Sequence, residues 1–388
     1  MSSGARQTTL LTPEATPGVT PANPTWDTIR FTSNTLSPTV NTQTSDEIGA
    51  GRISQGSVVS SADIQGDIVG ELSYGTFDRL MEAGFYGTWT GDVLTVGDTR
   101  RTFTVAKNFN DVGVYGLFKG MHVSVFQLDI PSDGKVTTTF TLMGMDYTDS
   151  ETAPTGTINP PTTTPFMSNL SVGTLLVDGR SLEGEACVSA INMSLDNTLQ
   201  AQRCIGTKKL GPGALIATEA AITGTITLAW SKASWQIWKN TFSRLPISVS
   251  FPITDGLGNS YLFNFPALEI DGDLPNGGKR DIIELTLNYT VAKQAPTITR
   301  VSFVPVTSVA VTPGTASIAV GATRQLSASA TPAQAGQNVT WSSSAPSVAT
   351  VSSTGLVTGV SAGTAVITAT SVSDTTKTAT SNITVTAS

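Results

Sequence analysis

The sequence predicts a mainly β protein: two tandem β-sandwich or barrel modules, each with one helix, followed by a separate C-terminal β-sandwich. Three observations predict it. Charged residues make up 13% of the 388, about half the roughly 25% of an average chain. Thr, Ser, 36 Gly and 20 Pro fill the gap, a mixture that favours short strands and turns over helices. From 64 to 72 the residues alternate strictly, with Ile64, Gly66, Ile68, Gly70 and Leu72 on one side and Gln65, Asp67, Val69 and Glu71 on the other. That is a half-buried strand with one wet face. Finally, a set of landmarks recurs in the same order.

Ile64-Gln65-Gly66-Asp67-Ile68 lines up with Ile222-Thr223-Gly224-Thr225-Ile226. Asn34 falls opposite Asn192, and Ile48-Gly49 near Ile205-Gly206. Leu128-Asp129-Ile130 matches Leu268-Glu269-Ile270, and Lys135 with the strand to Leu142 matches Lys279 with the strand to Leu287. Ordered matches of this kind indicate a duplication. Prolines set the boundaries, because they remove ladder donors and favour extended chain. Residues 1–25 read as an extended N-terminal arm, 26–147 as the first module, 148–167 as a linker and 168–292 as the second module. A second linker at 293–305 leads to a third domain at 306–388.

Within each module one helix is expected. Ser73 can cap the first, whose apolar residues Phe77, Leu80, Met81 and Phe85 fall at helical spacing. Ser231 starts the second, with Trp235, Trp238 and Phe242 as its buried stripe. The polar, Gly-containing stretches 38–61 and 196–218 read as long loops, of a length usually functional or ordered by a partner.

The net charge of −7 argues against a protein that grips nucleic acid, which needs clustered Lys and Arg. No apolar run reaches the ~18 residues of a membrane span, and the first eleven residues lack an apolar signal core, which predicts no Sec export. Cys187 and Cys204 read as free, partly buried thiols, with a single disulfide as the alternative. Zinc would need two more ligands near them, and none is in view. No metal or cofactor is implied. His122 reads as structural, and the acidic turn Asp271-Gly272-Asp273 near Glu269 is too short for an EF-hand loop.

The third segment has short strands at sandwich spacing, at 309–311, 318–320, 325–330, 339–341, 348–351, 356–358, 364–370 and 383–385. Its wording is also specific: Val311-Thr312-Pro313, Val339-Thr340-Trp341-Ser342-Ser343, Gly355-Leu356-Val357-Thr358-Gly359 and Ala362-Gly363-Thr364-Ala365-Val366-Ile367 follow in order. The segment resembles a bacterial Ig-like group 2 domain from end to end. Such domains serve as spacers or weak adhesive modules, so the fold does not fix the function. Trp341 is read as its core tryptophan.

The duplicated β module with one helix, a long loop and an appended Ig-like domain is similar to the tail tube protein of long-tailed, non-contractile bacteriophages (siphophages). The resemblance implies two tail-tube-like modules per chain, homotrimeric rings with pseudo-sixfold symmetry, and rings stacked into a tube. Four strands per module would give a 24-stranded inner barrel, with a backbone diameter of about 37 Å or more. Such a channel admits double-stranded DNA without binding it. Arg324, Asp374 and Lys377 are the only charged residues of 306–388, so the rest of the chain carries 20 basic against 28 acidic residues. Carboxylates facing a channel repel phosphate. The expected lumen-facing residues are Asp67, Glu71, Asp129, Glu269 and Glu284, with Thr223, Thr225 and Thr227. The expected inter-ring loop residues are Gln43, Asp46, Glu47, Arg52, Gln202, Arg203, Lys208 and Lys209. Implied partners are further copies of the chain, other tail proteins (tip, tape measure, terminator) and, through the Ig-like domain, host surface glycans. The place of action would be the virion tail, with synthesis in the host cytoplasm. The competing readings are a bacterial surface or adhesin protein, a tube-forming secretion component and, least supported by the residues, an enzyme.

Overall fold

The computed structural model describes residues 4–47, 56–205 and 209–387. It divides into two compact units, Met1–Val301 and Ser302–Ser388. In the first unit the chain runs through β1 (Gln7–Glu14), β2 (Thr25–Ile29), β3 (Ser33–Asn34), β4 (Ser37–Thr44), β5 (Ser57–Glu71) and α1 (Asp78–Phe85). There follow β6 (Val93–Thr95), β7 (Thr102–Phe109), β8 (Val114–Ile130), β9 (Thr137–Gly144), β10 (Asp146–Ser150) and β11 (Thr157–Asn159). After β12 (Leu176–Val177) and β13 (Arg180–Ser181) come β14 (Val188–Asp196), β15 (Gln200–Gln202), β16 (Ala214–Ile216) and β17 (Ala221–Ala229). Helices α2 (Lys232–Trp238) and α3 (Asn240–Ser243) precede β18 (Ile247–Thr254), β19 (Ser260–Asp271), β20 (Glu284–Val291) and β21 (Thr297–Val301).

One antiparallel path organises this unit: β4–β5–β9–β8–β14–β17–β20–β19. It consists of two four-strand groups with corresponding order, joined where β14 pairs with the second half of β8. Ile64, Ile68, Phe126, Leu128, Phe140, Ile191, Met193, Ile226, Leu287 and Ile270 point to one side and form the core. The first half of β8 leaves this path and continues as β8–β7–β1–β2, with β11 parallel to β2.

The stretches expected as arm and linkers carry strands. β1 lies between β2 and β7, with Leu10 and Leu11 buried. Its Pro13 sits opposite Phe103, where the β7–β8 register shifts, a place that tolerates a missing donor. The 148–167 stretch is held by Trp26 Nε1 donating to the Thr155 carbonyl at 2.9 Å and Arg30 donating to that of Thr164 at 2.6 Å. Residues 297–301 are β21, paired with β19 and β6, so the first unit closes at Val301 rather than near Lys293.

Helix α1 buries Leu80, Met81 and Phe85 as its spacing predicts. Ser73 is not its cap: the Ser73 hydroxyl meets Thr76 Oγ1 at 2.6 Å, Gly75 turns the chain at φ +78°, and the helix begins after Phe77. Ser231 does cap α2, and Ser234 closes the reciprocal box. The expected stripe on α2–α3 is largely in solvent, with Trp235 38% and Phe242 75% exposed. Trp238 is held through Nε1 donating to the Gly272 carbonyl at 2.9 Å, and Phe242 meets the Trp238 ring edge-on at 4.9 Å between centroids.

Gly66 and Gly224 occupy corresponding places. Gly66 lies opposite Leu142 and Gly224 opposite Tyr289. A Cβ on Gly66 would sit 2.6 Å from the Leu36 nitrogen; one on Gly224 would sit 2.1 Å from the Asn192 carbonyl oxygen and 2.4 Å from the Tyr289 hydroxyl. One step along, Thr35 Oγ1 accepts from the Asp67 N–H and Asn192 Oδ1 accepts from the Thr225 N–H. Gly224→Ala is therefore expected to cost roughly 3 kcal/mol, because backbone on a central strand must move. A urea titration with unchanged slope checks it, with Gly256→Ala, where a Cβ meets nothing, as the neutral control.

His122 is 3% exposed, and its Nδ1–H donates to the Gly120 carbonyl at 2.9 Å. Burial, its first cause, pulls its pKa below 6.5; Arg100 lowers it too, while the Gly120 bond and Glu14 oppose. The unfolded chain then binds the proton more tightly. The stabilisation is full above about pH 6.5 and is lost as pH falls through that value toward the folded pKa. His122→Gln is expected to flatten the stability–pH slope just below pH 6.5, read by denaturant midpoints along a pH series.

The second unit is a sandwich of β22 (Ser308–Thr312), β23 (Thr315–Ala319), β24 (Thr323–Gln325), β25 (Ser327–Thr331) and β26 (Val339–Ser343), with β27 (Ala349–Val351), β28 (Leu356–Gly359), β29 (Gly363–Ser371) and β30 (Thr378–Thr386). Its sheets are β23–β30–β29–β26, β24–β28–β27 and the pair β22–β25. Leu326, Val357, Ile367, Ile383 and Val385 form its core, with Trp341 packed against them.

Candidate functional site

The side of the main sheet that faces away from the core is a continuous polar surface. Glu71, Thr137, Asp129, Asn192, Thr225, Asn288 and Asp271 are successive register partners in one row from β5 to β19. Val69, Thr139, Gln127, Ser194, Thr223, Thr290 and Glu269 form the next row. Asp67, Thr141, Val125, Asp196 and Ala221 form a third. Glu284 lies opposite Ala229, two positions from Thr227 on the same side of β17. The strand alternation thus brings Asp67, Glu71, Asp129, Glu269 and Glu284 together on one face. Two carboxylates there were missed, Asp196 and Asp271, because each stands at a strand end and read as the start of a loop or turn.

No Lys or Arg occupies these rows. Among the described residues the ion pairs to this face lie at its margins: Lys135 pairs with Glu71, and Arg203 with Asp63 at 2.5 Å. Between them Asp67 accepts from Thr141 Oγ1 at 2.7 Å, while Asp129, Glu269 and Glu284 make no ion pair among the described residues. The middle of the face therefore keeps an uncompensated negative field.

The two stretches expected as open loops are hairpins. β4 pairs with β5 from Ser37–Gln65 to Thr44–Ser57, and β15 pairs with β16. Alternation failed to predict them because no residue of β4 or β15 is buried, so neither strand has a core side to set a period. Gln43, Asp46, Glu47, Gln202 and Lys209 are exposed, whereas Arg52 and Lys208, like Ile48, Gly49 and Gly206, lie outside the described residues. The second hairpin docks on β5: Arg203 donates to the Ala62 carbonyl at 3.2 Å, and the Ala62 N–H to that of Leu210 at 2.8 Å. It is ordered within the chain.

A polar cluster fixes α1 against β19 and β21. Asp78 accepts from the Tyr261 hydroxyl and from Arg300 at 2.6 Å, and Arg300 also reaches Asp92 at 3.0 Å. Arg300 lies over the Trp89 ring, 4.5 Å from its centroid. Burial first, then the charge of Asp78, pushes the Tyr261 hydroxyl well above its ordinary pKa, so it serves as a donor.

Cys187 and Cys204 are both exposed and not bonded to each other, which corrects the expectation of partial burial: both stand outside the strand ladders. Among the described residues no cluster of three His, Cys, Asp or Glu has metal-holding geometry, and no helix is long and apolar enough to cross a membrane.

A broad sheet with its core on one side and an open acidic surface on the other marks the chain as a structural β protein that presents a surface. Comparison with protein families makes this particular. Residues 4–291 match the phage tail tube protein family and 305–383 the bacterial Ig-like domain (group 2). The chain belongs to the phage tail tube protein family and carries a bacterial Ig-like group 2 domain. No curated protein sequence matches it. Among solved structures, one matched chain is described as the crystal structure of invasin, a bacterial integrin-binding protein. It is 13% identical over 73% of this chain and 75% of that one, with a TM-score of 0.16. That likeness is too low to carry an argument, and it does not favour a surface-adhesin reading.

Proposed function

We propose that three copies of this chain close into a pseudo-sixfold ring, and that rings stack into a tail tube through which double-stranded DNA passes on ejection. The observation that carries the reading is the eight-strand path whose open face carries scattered carboxylates and no Lys or Arg in its rows. Two four-strand groups in corresponding order, with Gly66 and Gly224 in corresponding registers, support two modules per chain. Three chains then supply 24 strands, and at about 4.8 Å each the channel is roughly 37 Å across before tilt. Heterologous head-to-tail contacts that close make rings. The acidic rows face the lumen, repel phosphate and let DNA slide without gripping it.

The hairpins that include Gln43, Asp46, Glu47, Gln202, Arg203 and Lys209 contact the adjacent ring, and tip, tape-measure and terminator proteins meet the tube's ends. The Ig-like domain decorates the exterior, where many weak contacts with host glycans can sum by avidity. The reading assigns no catalysis and no cofactor, and places the protein in the virion tail after synthesis in the host cytoplasm.

Native mass measurement of isolated rings, with negative-stain microscopy of the concentrated protein, tests it. The expected result is a mass of three chains and stacked rings with a central channel. A single ring of six chains, or monodisperse rods without a channel, would sink it.

A further inference from the structure

Resting on that ring reading, we propose which edges close it: residues 34–39 of one copy pair antiparallel with residues 271–276 of the next, beneath the apolar face of α2–α3. The template is the β8–β14 joint inside the chain. β14 has β17 on one edge and β8 on the other. β3 and β4 have β5 on one edge and, among the described residues, no strand on the other. There the carbonyls of Asn34 and Leu36 accept from Lys107 Nζ at 2.8 and 3.0 Å. A lysine laid across an open edge is a familiar guard against promiscuous pairing, and strand addition exchanges it for backbone donors.

The register follows from the two halves. Thr141 partners Val125, and in the second half Asn288 partners Asp271; both come one step after the Leu142–Val123 and Tyr289–Ile270 pairs. Asp271 thus stands where Val125 stands, and residues 272–276 stand where 126–130 stand. Residues 126–130 are strand held by β9 on one edge and β14 on the other, whereas the chain leaves β19, and its partner β20, at Asp271. On the other side, Leu36 lies against Gly66 as Met193 does against Gly224. Transferring the observed pairs Ser194–Gln127 and Met193–Leu128 gives Ser37 opposite Asp273 and Leu36 opposite Leu274. Leu128 is 1% exposed at the internal joint, and its counterpart Leu274 is 51% exposed. An apolar side chain at the same step, buried in one half and bare in the other, marks the surface that a second copy covers.

The helices carry the same asymmetry. α1 covers the internal joint: the Gly84 carbonyl accepts from Asn197 Nδ2 at 2.9 Å, and the Phe85 and Phe126 rings lie 6.2 Å apart. Phe242 follows Gly224 by the same number of residues as Gly84 follows Gly66, and Val40 holds the edge position that Asn197 holds on β14. Trp235, Phe242 and Leu245 are exposed beside the proposed strand, which α2 touches through Trp238 and Gly272. Val40 is 51% exposed. Inside the chain the cover joins the Asn197 cap to the Phe85–Phe126 contact; between copies the cap position is apolar as well.

The test uses full-length chain with Cys187→Ser and Cys204→Ser. Ser37→Cys with Asp273→Cys places both thiols on the open face at a facing pair. Mild oxidation of assembled rings is expected to give a covalent ladder ending at the trimer, while single-cysteine chains and the shifted pair Ser37→Cys with Asn276→Cys give none. Phe242→Asp is expected to lower ring yield about tenfold or more with an unchanged circular-dichroism spectrum; Leu245→Asp is the second probe should that chain misfold. Rings that form without cross-linking at 37–273, or that cross-link better in the shifted pair, overturn this seam and leave the ring standing. Full ring yield from folded Phe242→Asp and Leu245→Asp chains overturns the helix cover. Failure of the unsubstituted chain to form any ring overturns the ring reading and the seam with it.

Discussion

Replacing Asp129, Glu269 and Glu284 together by Lys is expected to leave tubes assembled and to lower infectious titre per particle by roughly a hundredfold or more. All three lie on the face that points away from the core, and none makes an ion pair among the described residues, so their loss removes no native partner. Surface substitutions of this kind are usually within about 0.5 kcal/mol in stability. The effect falls on the transit step. In the proposed tube each Lys introduced toward the lumen would offer a phosphate contact, and such contacts would repeat in every ring. Their number fixes how steeply affinity depends on salt, so the defect should ease as salt is raised during triggered DNA release in vitro. Misassembly would not ease in that way. The triple Asn/Gln replacement, which removes charge without adding any, should eject DNA close to normally. Wild-type titre from assembled particles carrying the three lysines would show that this face is not the channel wall.

Which parts of the structure were legible in the sequence follows from which positions had two different environments. The alternation at 64–72 placed Asp67 and Glu71 on the open face because every second residue enters the core, and the same holds for Asp129, Glu269 and Glu284. β4 and β15 were hidden because neither side of those strands is buried, and β16 because its three residues, with Leu215 alone buried, are too short to show a period. β1 and β10 were hidden by proline and threonine that suggested free chain, although their neighbours supply the pairing. The three-residue match of Leu128-Asp129-Ile130 with Leu268-Glu269-Ile270 was misleading in detail. Register sets Ile270 beside Tyr289 and Val123 beside Leu142, so Ile270 corresponds to Val123. The β8–β9 register shifts between Val123 and Val125, and β8 runs on to pair with β14 while β19 stops. Ordered landmarks could suggest corresponding strands, but only pairing could set which residues correspond. The α2–α3 stripe misled for a related reason: helical spacing identifies an apolar face without saying what covers it.

Two truncations separate what the first unit needs from what it merely carries. A chain ending at Val301 retains β21 and every core residue of the first compact unit. It should unfold with the same denaturant midpoint as that unit in the full chain, and it should still assemble if the Ig-like domain is an exterior decoration. A chain ending at Ala292 removes β21, although it keeps all eight strands of the main path. Ile298, 1% exposed between β19 and β6, would be lost, a deletion of the kind that costs about 2–5 kcal/mol. Arg300 would go as well, leaving the Asp78 carboxylate, whose side chain is 15% exposed, without its guanidinium beside Tyr261. Stranding a buried charge costs a further ~3 kcal/mol or more. The two losses share neighbours and will not add fully, so a fall on the order of 5 kcal/mol is expected, enough to unfold a marginal unit. Restoring 293–301 alone should recover it, whereas restoring that segment with Arg300→Ala should recover it only in part. Equal stability of the 292 and 301 chains would show that β21 is dispensable and that the first unit ends where the prolines of the sequence first suggested.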